Sequence, residues 1–305
     1  MINPIHLRTL TTVVERGSFA AAGRDLGYTS SAVSQQVAHL ERITGLTLFE
    51  RDSRRARPTE AAVSLVRHSA EALLALDTLE AQLPRLRTGH TSTLRLGTFP
   101  TASAAVMPLA LAHLAASHPD ARVELDEDEP VALVSRLMTS QLDLALIYEY
   151  DLVPQRWPPG MDCIPVLVED MVMARSPGQV THALSGMSDA RWISTLDGSA
   201  GDLFLHRQCA LAGFEPQVPW RSNDYDVVRG LVAAGLGTAL VPALATIGWN
   251  DAADLDQPED VRGHRRVWIV RRRAACHPLA ATVIDSLHSA ARALTRRHRR
   301  VHRPR

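Results

Sequence analysis

Ser31, Ser34 and Gln35 share one side of a short segment whose other side is Val33, Val37 and Leu40. On a helix that spacing buries the apolar side and turns a row of uncharged hydrogen-bonding groups outward. Such a row suits base edges in a major groove, where Gln pairs with adenine and Ser with several bases. Arg51, Arg54, Arg55 and Arg57 follow within seven residues, closed by Pro58. Guanidinium groups at that density suit phosphates or a minor groove. A helical hairpin with a solvated face and a solvated basic loop are the plainer readings. It is their adjacency that favours DNA.

A second polar set lies where strands are expected to meet helices. Thr98-Phe-Pro-Thr-Ala-Ser103 places Thr101 and Ser103 at a predicted helix N-terminus, where free N–H groups and the dipole favour an anion or a polar oxygen. Ser199-Ala-Gly201 repeats the arrangement, and Tyr148, Ser194 and Asn223 fall at predicted strand ends or loops. Thr98, Thr101, Ser103, Tyr148, Ser194, Ser199 and Asn223 are therefore the candidate ligand contacts, with helix caps and turns as the alternative. Asp126-Glu-Asp-Glu129 either draws a cationic effector or is a solvated strand end.

Catalytic patterns are missing. No GxGxxG follows a strand, and there is no GxxxxGK[ST], GxSxG or HExxH. No enzyme activity, cofactor or metal is expected. Cys163, Cys209 and Cys276 are odd in number, far apart and outside any CxxC, which argues against a disulfide scaffold and a zinc site. Buried inert thiols are the plain reading and a redox pair the alternative. Met1–Leu10 contains Pro4, His6 and Arg8 and has no apolar core, so no signal peptide is read. A secreted solute-binding protein would also leave residues 1–90 unexplained. No window approaches membrane-spanning length, and the cytoplasm is the expected compartment.

The elements that must hold these groups follow from periodicity. His6–Arg16 carries Leu7, Leu10, Val13 and Val14 at helical spacing and stops at Gly17. Ser18 caps a second helix, Phe19–Leu26, and Gly27 with Tyr28 makes a tight turn. Thr29 or Ser30 caps a third. Two helices joined in this way form a helix-turn-helix. Leu46–Phe49 predicts a short strand, which makes the Arg run a hairpin wing. Thr59 caps a long helix reaching about Leu83, where Pro84 should end or kink it. Leu65, Ala72, Leu76, Leu79 and Leu83 form an apolar seam broken at Ser69. A helix of roughly 36 Å exceeds the needs of one small domain. It predicts a homodimer through the seam, packing on its own chain being the alternative. Thr88–Thr93 reads as a hinge.

From Leu94 strands and helices alternate. Strands are expected at Leu94–Gly97, Arg122–Asp128, Asp143–Tyr148, Asp170–Ala174, Trp192–Ser194, Gly237–Val241 and Val267–Val270. Helices are expected at Ala102–Ser117, Val131–Ser140, Gly201–Ala212, Tyr225–Ala234 and His277–Leu294. This is an α/β pattern of two Rossmann-like lobes. Crossings near Ile164–Val168 and Arg266–Val270 imply a ligand cleft between them.

Formal charge sums to zero, yet it is segregated. Residues 1–90 hold 11 Arg and 9 acids, residues 91–291 hold 15 Arg and 24 acids, and residues 292–305 hold 7 Arg and no acid. That division fits a nucleic-acid binder better than an evenly neutral protein. The end, with His298 and His302, reads as a solvated disordered tail, added nonspecific DNA affinity being the alternative.

Taken together, Gly17-Ser-Phe-Ala-Ala-Ala22, Leu26, Ala32-Val-Ser-Gln-Gln36, Leu40-Glu41, Gly45, Leu48-Phe49-Glu-Arg51 and Thr59 resemble the LysR-type transcriptional regulators. Leu94-Arg-Leu-Gly97 with Pro108, Leu142-Asp-Leu-Ala145, and Val232-Ala-Ala-Gly-Leu-Gly237 with Pro242 extend the resemblance over nearly the whole chain. The chain departs from the family at Ser30-Ser31, Pro58 and Ala61-Ala62, and the first departure means that base preference does not carry over. The resemblance implies that Ser30, Ser31, Ser34 and Gln35 face bases, that Thr29 and Gln36 contact phosphates, and that Arg54, Arg55 or Arg57 supplies the wing. It also implies an effector domain like a type 2 periplasmic binding protein, with Thr101 where the family commonly has an effector-contacting Ser, and a homotetramer built as a dimer of dimers. The implied partners are double-stranded operator or promoter DNA and a small-molecule effector, with RNA polymerase a further candidate. The expected domains are a winged helix-turn-helix at 1–59, a linker helix and hinge at 60–90, an effector domain at 91–294 and a basic tail at 295–305. Lobe I is expected at about 91–163 and 268–294, and lobe II at about 164–267.

Overall fold

The computed structural model describes residues 2–50, 57–88, 93–178, 183–249, 252–273 and 277–304. They fall into two compact units, residues 1–89 and 90–305.

The first unit opens with α1 (Pro4–Arg16), α2 (Phe19–Leu26) and α3 (Ser30–Thr44). Asn3, Ser18 and Thr29 cap them, each side chain accepting from a backbone N–H of the first turn. Gly23 shows why α2 and α3 close so tightly: a Cβ there would lie 2.7 Å from the Tyr28 carbonyl oxygen. Leu10, Val13, Val33, Leu40 and Leu48 form a fully buried core. Beyond α3, Thr59 N donates to Leu48 O at 2.9 Å and Glu50 N to Arg57 O at 3.0 Å. The expected strand at Leu46–Phe49 contracts to a single bridge, Phe49 to Pro58. The wing tip, with Arg51, Arg54 and Arg55, lies outside the described residues.

Helix α4 (Glu60–Thr88) narrows one expectation and corrects another. Of the two outcomes expected at Pro84, an end or a kink, the end does not occur: the helix continues to Thr88, because a proline deletes one rung of the ladder and a helix of 29 residues retains the rest. Ser69 is no break in the seam. It is buried and its hydroxyl donates to Val66 O at 3.0 Å. Ala62, Ser69 and Leu73 are buried, and Leu65 and Val66 pack on the helix-turn-helix core. Farther along, Ala72 is exposed, Leu76 is half-buried and Leu79 stands 52% exposed. The Leu83 side chain is outside the described ones.

The second unit runs β1 (Thr93–Thr98), α5 (Pro100–Ala105), α6 (Met107–Ser117), β2 (Arg122–Glu127), α7 (Pro130–Met138), β3 (Leu144–Tyr150) and β4 (Met161–Arg175). It continues with β5 (Arg191–Ser194), α8 (Ala200–Leu211), β6 (Gln217–Arg221), α9 (Tyr225–Ala233), β7 (Thr238–Pro242) and β8 (Asp254–Asp256). It closes with β9 (His264–Arg272), α10 (Ala280–Arg297) and β10 (Val301–His302). The single helix expected at Ala102–Ser117 is two, broken at Val106, where Pro108 in the first turn of α6 lacks the N–H to continue α5.

Lobe I is the sheet β2-β1-β3-β9-β4, and lobe II is β4-β7-β5-β6. Strand β4 belongs to both. It pairs with β9 from Met161 to Asp170 and with β7 from Met171 to Ala174. The crossing thus lies after Asp170, not at Ile164–Val168. All of β9 lies in lobe I, so the second crossing precedes His264 and does not fall at Arg266–Val270. Residues 166–175 are buried without interruption, so hydropathy carries no mark where the strand changes sheets.

The tail is also a correction. Val301 is buried and pairs with Glu169, while His302 pairs with Val168. Asp170 N donates to Arg300 O at 2.9 Å, and Arg300 Nη2 to Leu255 O at 2.7 Å. His302 Nε2 stands 3.0 Å and His264 Nε2 3.6 Å from Asp170 Oδ1. The basic side chains have acceptors on β4 and β8, and one buried valine supplies the apolar anchor that a disordered tail lacks.

Candidate functional site

The exposed row on α3 follows from its caps and its period. Val33, Val37 and Leu40 are buried, which leaves Ser31, Ser34 and Gln35 exposed on the outward side, with Ser30 beside them at the helix start. Thr29 Oγ1 accepts from Ala32 N at 3.2 Å and lies 3.0 Å from Ser31 Oγ. Gln36 differs from the rest: its Oε1 accepts from Thr9 Oγ1 at 2.5 Å, which ties α3 to α1 and leaves only the amide donor. Arg57 is exposed on the second leg of the wing.

Between the lobes lies a cavity of about 20 Å³, room for roughly one water molecule. Thr101, Tyr148, Ser199 and Asn223 line it. Three expected contacts do not. Thr98 is fully buried in β1, Ser194 is buried and donates to Asp202 Oδ1 at 2.9 Å, and Ser103 lines an adjoining groove. Sequence reasoning missed Phe99, Tyr150, Thr195, Tyr225 and Arg265, and it had Glu129 only as one end of the acidic run Asp126–Glu129.

Arg265 is the centre of the site. It is buried, and its Nε donates to Glu169 Oε1 at 2.7 Å while Nη2 donates to Thr101 Oγ1 at 2.6 Å. Its guanidinium lies 4.8 Å from the Tyr148 ring centre and 5.1 Å from that of Phe99. Burial is the largest single influence and opposes its charge, but Glu169 together with Tyr150, Tyr225 and Tyr148 outweighs it and holds the guanidinium above its ordinary range. Burial pushes Glu169 up, against Arg265 and the Leu244 N–H. An arginine stays charged in a protein, so the two form an ion pair. Thr101 therefore serves first as an acceptor for Arg265.

Burial, then Tyr150 and Glu129, keep the Tyr148 phenol protonated, and its O–H donates to Glu129 Oε2 at 2.7 Å. Phe99, Tyr148, Tyr150 and Phe204 form a continuous aromatic row from lobe I to α8, with ring centres 4.8, 5.5 and 4.9 Å apart. In lobe II, Thr195 Oγ1 and Ser199 Oγ stand 2.7 Å apart, and Asn223 Oδ1 accepts from Leu196 N at 3.1 Å. Gly201 is required beside them: a Cβ would lie 2.8 Å from Thr195 Oγ1.

Cys209 is buried on α8, where burial pushes its thiol up to about 12. Cys163 is exposed, yet desolvation, Glu149 and Asp162 raise its thiol as well. Cys276 lies outside the described residues. Among the described residues, no three His, Cys, Asp or Glu side chains are placed to hold a metal ion, and no helix is long and apolar enough to cross a membrane.

A helix-turn-helix with an outward polar row, followed by two α/β lobes around a polar cavity, defines a ligand-responsive DNA-binding regulator. Residues 5–63 match the bacterial regulatory helix-turn-helix protein, lysR family, and residues 87–292 match the LysR substrate binding domain. The chain belongs to the LysR family of transcription regulators. It is 33% identical to a probable hydrogen peroxide-inducible genes activator of Mycobacterium avium over 88% of each chain. A peroxide-bound cysteine mutant of OxyR from Corynebacterium glutamicum superposes with TM-score 0.56 and 25% identity, over 95% of this chain and 94% of that one. The LysR regulator CbnR, solved with its target DNA, shares the fold at TM-score 0.52 and 20% identity, over 95% of this chain and all of that one.

Proposed function

We propose that α3 reads operator DNA through Ser30, Ser31, Ser34 and Gln35. Thr29 and the basic wing hold phosphates, and a small molecule bound without covalent chemistry between the lobes sets the regulator's state. The observation that carries this reading is the outward, uncharged face of α3 above a fully buried apolar one. The wing of the proposal is Arg54, Arg55 and Arg57, of which Arg57 is the described member. Gln36 is assigned to positioning α3 through Thr9.

The half-buried Leu76 and exposed Leu79 support a dimer through the second half of α4, since the first half already packs on its own unit. A homotetramer, an RNA polymerase contact and action in the cytoplasm extend the proposal along the family's pattern. The cleft is assigned to binding and not to catalysis.

The peroxide-inducible relatives suggest a thiol sensor as a second reading. A peroxide-sensing cysteine reacts as its thiolate. Burial holds Cys209 far from that form, and Cys163 is shifted in the same direction. Neither described cysteine is poised as a thiolate, which favours noncovalent effector binding over a sensor built on Cys163 or Cys209. The test is a mobility shift of the full chain on DNA from upstream of its own gene against a scrambled duplex. Preference for the upstream DNA supports the assignment, and equal binding at low salt contradicts it.

A further inference from the structure

The charges around the cleft do not cancel. Arg265, the one basic residue among the described residues lining the cavity, is neutralised by Glu169, which is buried behind it and does not line the cavity. Glu129 also lines it, takes a hydrogen bond from Tyr148, and forms no ion pair among the described residues. The cavity adjoins a groove of about 690 Å³, with Pro100, Thr101, Asn223 and Tyr225 common to both. Glu127, Asp224 and Asp226 line that groove with no basic residue among its walls, and Arg229 meets Asp226 at 3.2 Å. Leu244, Ala245, Ile247 and Trp249 give it an apolar side. Ser103 Oγ, on the same wall, is buried with no hydrogen-bond partner among the described residues.

Resting on the cleft reading above, we infer that the effector is an organic cation. It is a primary amine on a short hydrocarbon stem, its ammonium head, about the size of a water molecule, against Glu129 and its stem along the groove toward Trp249. The aromatic walls already demonstrate the chemistry, since Phe99 and Tyr148 hold the protein's own guanidinium. A ring face attracts an ammonium or guanidinium in the same way. An anion faces the opposite situation. To reach Arg265 it must displace Glu169, whose Oε1 accepts from Nε and stands 2.7 Å from Nη2, and leave that carboxylate buried without its partner.

The experiment titrates the full chain with n-butylammonium, putrescine, butyrate and succinate at fixed ionic strength, by calorimetry and thermal shift. Wild type, Glu129→Gln and Ser199→Trp, which fills the cavity, are compared. The inference expects the amines to bind, Glu129→Gln to weaken them about tenfold or more, and Ser199→Trp to abolish binding. Glu127→Gln, on the exposed wall of the groove, should weaken amine binding in the same direction by a smaller factor, which keeps the test open if Glu129→Gln melts early. Carboxylates binding in place of amines, and lost in Ser199→Trp, overturn the cationic class while the cleft reading stands. Amines that bind equally to Glu129→Gln and Ser199→Trp overturn both. Binding by none of the four probes overturns the cationic class.

Discussion

The face of α3 and the cleft between the lobes both present polar groups to a ligand, but they are built in opposite ways. On α3 the groups come from one helical segment, stand exposed, and are ordered by a cap and a 3.6-residue period. In the cleft they come from distant segments and are buried against one another. Arg265 and Glu169 alone are separated by 96 residues. A local pattern can specify a surface that reads. A buried site needs long-range partners, and each of its polar groups is also a structural group. Mutations should therefore separate function from stability on α3 and mix them in the cleft.

The largest effect tests that mixing. Glu169→Ala leaves Arg265 buried and uncompensated, which should cost the fold about 3–5 kcal/mol. Denaturant unfolding of the full chain reads it, and a loss within error of zero would show that Arg265 finds water in place of Glu169. Thr101→Val comes next. Its hydroxyl accepts from Arg265 at 2.6 Å, so the change should lower stability by about 1–3 kcal/mol as well as disturb ligand binding. A variant as stable as wild type would return Thr101 to the purely ligand-facing role expected from sequence.

On the other side of the comparison, Thr29→Ala removes a cap and should cost about 1 kcal/mol. Melting followed in the helix-turn-helix should fall while effector affinity holds. Loss in both regions would dissolve the distinction between them. The smallest effect is chemical. A thiol raised to about 12 has its thiolate form moved up in pH, so alkylation of native Cys209 should be negligible at neutral pH and rise with pH. Mass spectrometry after iodoacetamide treatment measures it, and neutral-pH modification as fast as a free thiol's would reopen the redox reading.

The same contrast explains what the sequence disclosed. The α3 row was legible because one period sorts inward from outward residues. Thr101, Tyr148, Ser199 and Asn223 were legible as polar groups at strand ends and helix starts. Arg265 was not, although Arg265, Val267 and Ile269 share the buried parity of β9 while Arg266 turns out to Asp151. Adjacent arginines look alike until strand alternation and the partner Glu169 are known. Glu129 sat in an acidic run whose members part company. Asp126 pairs with Arg136 at the surface, and only Glu129 reaches the cavity. The docking of the tail depends on Val301, a single apolar residue among arginines, too weak a signal without β4 beside it.

The central claim is that α3 reads sequence through exposed side chains, Gln35 foremost, whose removal leaves the fold intact. Fluorescence anisotropy of wild type and Gln35→Ala on upstream and scrambled duplexes tests it most directly. The account predicts that Gln35→Ala loses about 1–3 kcal/mol on the upstream DNA alone, with unchanged melting and unchanged affinity for the scrambled duplex. Equal losses on both duplexes, or a fall in stability, would contradict it.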